Sequence, residues 1–246
     1  MLIIFAATAV GFFAGLFGIG GGLISVPCLF FIFETLNFDK DYLMHLTVGT
    51  AFTITIFTST VSVMTHNKNK LVDFSVVKTF GLFVVLGVLA GTVFASFMKT
   101  KMLVLFFSVV VYFFGAYLMM AQEQIKKIKP NSSITPRVFL GLFSGFVSAP
   151  MGITGAMMNV PILRYLGYPI SKCIGSAAAI GFFISFTGSI GFLLSGFYFN
   201  VNLPFSIGFI NIPAFILFVP ITSFMAKVGA NTCLLYTSDA ADDDHC

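Results

Sequence analysis

The chain is 246 residues long, 58% hydrophobic and only 9% charged, with a mean hydropathy of +1.01. A soluble domain carries about 25% charge, so the composition excludes one and indicates a polytopic membrane protein with little outside the lipid bilayer. The net charge of +4 forms no basic stripe outside the loops and carries no nucleic-acid signal.

In chain order, the first apolar segment covers residues 2–33. Its opening part resembles a signal-peptide core but lacks a basic leading region, and its counterpart in the second half lies mid-chain, so it belongs to the mature protein. The second segment, 46–65, is rich in Thr and Ser. The third, 74–98, contains Gly87 and Gly91 at the small-xxx-small spacing that lets membrane helices approach closely. The fourth is 102–121. A basic linker follows with Lys126, Lys127 and Lys129, and Pro136 opens the fifth segment, 136–165, in a position where proline is welcome. The sixth is 173–195. The seventh, 203–228, is interrupted by Pro213 and Pro220.

These segments form two repeats, 1–122 and 136–232, joined by the linker 123–135. The stretch Gly18-Ile-Gly-Gly-Gly-Leu-Ile-Ser-Val-Pro27 returns as Gly152-Ile-Thr-Gly-Ala-Met-Met-Asn-Val-Pro161 at an offset of 134 residues. Gly175-Ser-Ala in the sixth segment echoes Gly49-Thr-Ala in the second. Four glycines in five positions, Gly18 and Gly20 to Gly22, favour a break, because glycine costs roughly 1 kcal/mol per helical residue. Unwound backbone at membrane depth survives only where protein buries it or where it lines a cavity. Paired breaks in matching segments of two halves point to a transporter's binding site.

An eighth segment, matching the fourth, is expected and missing. The residues 233–246 carry Cys233-Leu-Leu-Tyr-Thr-Ser-Asp-Ala-Ala-Asp242, which resembles a translated sequencing adapter, and are read as a non-native tail that contributes no helix.

The positive-inside rule bears on topology. If every segment crosses, the thirteen Lys and Arg divide seven against six. If segments one and five dip in and return, only Lys40, Lys99 and Lys101 stay on one side, and the other ten share the opposite face. This bias favours re-entrance. Each half then crosses three times, so the second is inverted relative to the first and the basic linker is cytoplasmic. The fold expected is therefore an all-α membrane protein of two four-segment repeats, each starting with a glycine-broken re-entrant helix.

Little in the apolar segments can titrate. Glu34, Asp39, Asp41, Asp73, Glu123, His45 and His66 are placed in loops or at segment ends. No catalytic constellation and no cluster with metal-ligand spacing is present, so neither enzyme activity nor a cofactor is expected. Four cysteines are too scattered for a disulfide framework, and Cys28 and Cys173 are read as small packing residues. The breaks instead offer helix N-termini, whose free N–H groups and dipole make an anion site without a lysine. The candidate binding residues are Gly18, Gly20, Gly21, Gly22, Ser25, Pro27 and Thr50 in the first half, and Gly152, Thr154, Gly155, Asn159, Pro161 and Ser176 in the second.

The spacing Gly11-x-x-x-Gly15-x-x-Gly18-x-Gly-Gly-Gly22-x-x-x-Val-Pro27, its weaker copy ending in Val160-Pro161, and Gly175-Ser-Ala-Ala178 together resemble the TauE/SafE sulfite-exporter family of membrane permeases, from about residue 5 to 232. The resemblance implies a multi-pass protein of the bacterial inner membrane that moves sulfur-containing anions such as sulfite or sulfonates, with the glycine-rich stretches and their prolines as the central site. The runner-up reading is a membrane assembly or accessory protein that handles no solute. A cavity lined by both breaks is expected for transport, and a tightly packed interior for the accessory role. Substrate, direction, coupling ion and oligomeric state do not follow from the sequence.

Overall fold

A computed structural model of the chain describes residues 2–17, 21–120 and 134–242. The described residues are almost entirely helical, and six helical stretches are long and apolar enough to cross a membrane. The first segment is two helices, α1 (Leu2–Phe17) and α2 (Gly22–Thr35). The second is α3 (Leu43–Lys68). The third is α4 (Phe74–Thr79) and α5 (Gly81–Ser96), and the fourth is α6 (Thr100–Met120). In the second half, α7 (Ile134–Met151) and α8 (Ala156–Tyr165) form the broken fifth segment and α9 (Ile170–Tyr198) the sixth. The seventh begins with a hairpin, β1 (Ser206–Ile207) and β2 (Ile210–Asn211), and continues as α10 (Ile212–Asp242).

Two expectations are corrected here. Residues 206–211 form a small antiparallel hairpin rather than helix: Gly208 turns the chain with φ +55, and Pro213 then occupies the first turn of α10, where its missing N–H costs nothing. The stretch 233–242 is helical, because α10 runs on to Asp242 through residues that include neither Gly nor Pro after Gly229. The residues 243–246 and 121–133 lie outside the described residues.

A Thr-rich helix survives at membrane depth because its hydroxyls bond back to its own carbonyls. In α3, Thr47 Oγ1 donates to the Leu43 carbonyl at 2.8 Å and Thr53 Oγ1 to that of Gly49 at 2.9 Å. Two further hydroxyl pairs cross-link α3 to α9, Thr53 with Ser189 at 2.8 Å and Thr55 with Ser185 at 3.0 Å.

The packing exchanges the two halves. The main partners are α1 with α10, α7 with α5, and α3 with α9, and the lesser ones also match, α3 with α10 against α9 with α5, and α2 with α3 against α8 with α9. The correspondence reaches single residues. Gly229 of α10 lies against the carbonyl of Phe12 in α1, and Gly91 of α5 lies against the carbonyl of Phe146 in α7. A methyl at Gly229 would come within 2.8 Å of Leu16 N, and one at Gly91 within 3.0 Å of Phe146 Cα. Small residues here allow backbone-to-backbone contact, the usual basis of helix association in lipid.

Helix directions follow from the contacts. Gly11 meets Thr222 and Gly15 meets Ala226, so α1 and α10 are parallel. Thr50 bonds Asn211 and the Phe57 ring meets Phe215, so α3 runs parallel to both. Gly87 meets Leu142, Gly91 meets Phe146, Gly81 meets Ile180 and Gly191 meets Thr92, which makes α5, α7 and α9 parallel. By contrast α3 and α9 are antiparallel, since Gly49 meets Phe192 while Thr55 meets Ser185. Tyr42 with Phe209 (ring centroids 5.7 Å apart) and Phe97 with Phe199 (5.8 Å) gather at one end of the bundle. Leu71, Asp73, Gly175 and Ser176 gather at the other.

Candidate functional site at the two helix breaks

Both breaks are built alike. Gly21 caps α2 with φ +85 and Gly155 caps α8 with φ +70, left-handed conformations that only glycine adopts without strain. Each cap carbonyl accepts the first helical bonds: Ser25 N to Gly21 O at 2.9 Å, and Met158 N to Gly155 O at 3.0 Å. The N–H groups of the first residues, Gly22 and Leu23 in α2 and Ala156 and Met157 in α8, precede those bonds and have no partner within their own helix. Gly152 adds a second left-handed residue, φ +67, ahead of the second break. Gly18 and Gly20 lie outside the described residues.

The breaks touch. Gly22 lies against the carbonyl of Gly152, and a methyl at Gly22 would come within 2.9 Å of Ile153 Cα. Gly152 is in turn packed between Val26 of α2 and Val48 of α3. Ser25, Thr154 and Asn159 are all fully buried beside these glycines. Ser25 Oγ turns back to the Gly22 carbonyl at 3.4 Å. Asn159 Oδ1 accepts from Ser144 Oγ at 2.6 Å, while its Nδ2 is buried without a partner. Pro27 and Pro161 are each the sixth residue of their helix. Pro27 is exposed and Pro161 half-buried, so Pro27 faces away from the meeting point.

Thr50 and Ser176 are engaged elsewhere. Thr50 Oγ1 accepts from Asn211 N at 2.9 Å, and Ser176 Oγ accepts from Asp73 N at 3.0 Å. Asn211 and Asp73 themselves cap the following helices, accepting from Ala214 N and from Ser75 N, each at 3.0 Å. The preceding glycines fit the same design: Gly49 lies on the carbonyl of Phe209, and a methyl at Gly175 would come within 2.5 Å of that of Leu71. The Gly-Thr and Gly-Ser pairs are thus sockets that fix where the third and seventh segments start.

The histidines are a third correction. His45 and His66, expected among solvated loop residues, are both buried near opposite ends of α3. The helix extends past its apolar core in both directions because continued helix keeps backbone groups paired. The His45 ring stacks on Phe209 at 5.1 Å, and its Nε2 lies 3.2 Å from the Ala95 carbonyl. The His66 ring sits beside Gly15, and neither of its nitrogens has a hydrogen-bond partner.

Sequence reasoning missed Ser144 and Ser148, both buried in α7. Their spacing of one helical turn on an otherwise apolar helix, opposite Asn159, was the available signal. The interior around the breaks is closely packed. The cavity beside the second break holds about 10 Å³ and is lined by Ser148, Gly155, Met157 and Met158 together with Val110 and Phe114 of α6. That is roughly the room one water needs. Among the described residues no His, Cys, Asp and Glu side chains gather in a group able to hold a metal.

Comparison with known proteins places this architecture. The chain is similar to a protein of Haemophilus influenzae named "Probable membrane transporter protein", 28% identical over 94% of this chain and 88% of the relative. It is also similar to a "Probable membrane transporter protein" of Methanocaldococcus jannaschii, 27% identical over 93% of this chain and 84% of the relative. No solved structure matches. The family model described as sulfite exporter TauE/SafE matches residues 3–238, nearly the whole chain; the chain belongs to this family of multi-pass membrane transporters and is not an enzyme.

Proposed function

We propose that the protein moves small anions, sulfite, sulfonates or other sulfur oxyanions, across the bacterial inner membrane, and that the two breaks form its central site. The observation that carries this reading is the contact of Gly22 with Gly152. It sets the N-terminus of α2 against the end of α7, three residues ahead of the left-handed Gly155 that caps α8, at a buried place between the halves. Free N–H groups and dipole ends are complementary to an anion, and among the described residues neither break contains an acidic side chain. The cavity expected to be lined by both breaks is not found among the described residues: the packing is close around a cavity of about 10 Å³ lined from the second break and α6, as the accessory role would have it. The transport reading takes this arrangement as a closed state whose halves move apart to admit the solute.

The same reading includes an inverted pair of repeats, 1–122 and 136–232, each with a re-entrant first segment. Three observations support it. The matching helices α3 and α9 are antiparallel. Helix α1 is parallel to α3, so α2 must lead back to the side where α1 began. Arg137, in the first turn of α7, donates to the Tyr168 hydroxyl at 3.1 Å just past the end of α8, so the fifth segment starts and finishes at one end. The ten-to-three charge bias then puts the linker 123–135 in the cytoplasm.

The test is flux in vesicles with a panel of labelled sulfite, thiosulfate and methanesulfonate. Saturable movement of at least one, above vesicles without the protein, is expected. No movement of any of them would overturn the reading and favour a non-transporting assembly role.

A further inference from the structure

The two breaks share a backbone but not a lining. At the offset that pairs Gly21 with Gly155, Ser144 matches Val10, Ser148 matches Ala14 and Asn159 matches Ser25. The surroundings of the cap glycines follow suit. A methyl at Gly21 would meet Val10 Cγ1 at 2.9 Å and Ala14 Cβ at 3.2 Å. One at Gly155 would meet Asn159 Nδ2 and Ser148 Oγ, each at 3.0 Å, and Ile184 Cδ1 at 2.8 Å. The first break is therefore walled by alkyl groups and the second by an amide and a hydroxyl.

Within the second wall the donors are not all used. Ser148 Oγ donates to the Ser144 carbonyl at 2.6 Å. Ser144 Oγ donates to Asn159 Oδ1 at 2.6 Å, which takes up the acceptor end of the amide and turns the NH2 toward Gly155. That NH2 is fully buried and unpartnered. An orphaned buried donor costs about 1–3 kcal/mol, and a native chain keeps one where something else satisfies it. At the first break the matching side chain, Ser25 Oγ, is turned back on its own helix.

We propose that the site is asymmetric: the chain holds one oxyanion at the second break, with the Asn159 amide as its specificity-determining donor and Ser144 as the residue that positions that amide. The proposal rests on the anion-transport reading and narrows it. The N–H groups of Ala156 and Met157 supply the helix end. Asn159, one turn further on and on the break side of α8, adds an uncharged donor that an acceptor-only ligand satisfies. The first break contributes its backbone through Gly22 and an apolar wall, and so closes over the ligand. Met157 and Met158 line the small cavity. Methionine side chains repack at little cost, and these form the wall that yields when the ligand enters.

The test uses the purified full chain in detergent, titrated with sulfite, thiosulfate and methanesulfonate, with the bound ion counted. A single ion per chain is expected. Asn159→Asp keeps the shape and replaces the donor with a carboxylate, and affinity should fall at least about tenfold, roughly 1.4 kcal/mol. If that variant fails to fold, Asn159→Ser, the residue type of the first break, should show the same loss. Ser144→Ala should weaken binding and Ser144→Thr, which keeps the hydroxyl, should restore it; a merely structural serine would show no such rescue. Gly115→Ala, in α6 where nothing lies within 4 Å, should leave affinity within about twofold. Two ions per chain, or an Asn159→Asp protein that binds as tightly as Gly115→Ala, overturns the inference while leaving transport standing. A wild-type chain that neither binds nor moves any of the three probes overturns the transport reading and this inference with it.

Discussion

Gly22, the first residue of α2, rests directly on Gly152, the residue that ends the helical run of α7. The two lie in different halves of the chain, and each is the smallest residue that fits. Backbone therefore meets backbone where both helices are interrupted, and the halves communicate there without any intervening side chain.

Substitution at that contact should uncouple function from insertion. In an exposed helix Gly→Ala stabilises by about 1 kcal/mol. At Gly22 the added methyl meets backbone of the other break, which cannot swing aside as a side chain would. Gly22→Ala should lower sulfite flux more than about tenfold per inserted molecule, with membrane content within a factor of about two of wild type by quantitative blotting. Gly115→Ala, in α6 where nothing lies within 4 Å, is the matched control and should transport normally.

Loss of the socket hydroxyls should be a matter of stability. Thr50→Val removes the acceptor of a buried N–H and should cost about 1–3 kcal/mol, read as a lower unfolding midpoint in detergent. Ser176→Ala removes the acceptor of a half-buried N–H, that of Asp73, and belongs at the low end of that range. The two sockets lie at opposite ends of the bundle and share no partner, so the double variant should be additive within about 0.5 kcal/mol. Normal stability in both would show that water satisfies these groups equally well.

Re-entrance makes a labelling prediction. Single cysteines at Asn37 and Asn200, in a background lacking the native cysteines, should react with an impermeant thiol reagent from the same face, and one at Asn69 from the opposite face. Were the fifth segment to cross the membrane once, Asn200 would label with Asn69 instead.

The driving force can be separated from proton coupling. Both buried histidines sit at the ends of α3, His66 beside Gly15, and the position that matches His66 in α9 is Phe192, also buried. His66→Phe should therefore be tolerated, with flux and unfolding midpoint at or above wild type. An anion that stays charged is pushed outward by an interior-negative potential worth roughly 2.3 kcal/mol per charge per 100 mV. Flux in sodium-free proteoliposomes, with potential clamped by potassium and valinomycin and no pH gradient, should follow the potential in both proteins. Flux that ignores potential and tracks an imposed pH gradient, and that His66→Phe abolishes, would establish proton coupling through this ring.

The sequence by itself determined the membrane class and the location of both breaks. These properties are local or compositional: a run of apolar residues partitions into lipid wherever it lies, and a glycine cluster weakens a helix whatever surrounds it. Gly21 and Gly155 could be singled out because the repeat offset aligned them. What each side chain faces was decided only by the tertiary structure. Thr50 and Ser176, polar residues in apolar segments, read as ligand donors until the fold turned them onto the backbone of Asn211 and Asp73. His45 and His66 read as loop residues until α3 was seen to continue past its apolar core. Ser144 and Ser148 drew no notice until α8 folded back to set Asn159 against them. The offset pairs Val10 with Ser144 and Ala14 with Ser148, but a pairing in sequence carries no distance. It took the tertiary contacts, Val10 and Ala14 against Gly21 and Ser148 and Asn159 against Gly155, to make one break apolar and the other polar around the same backbone.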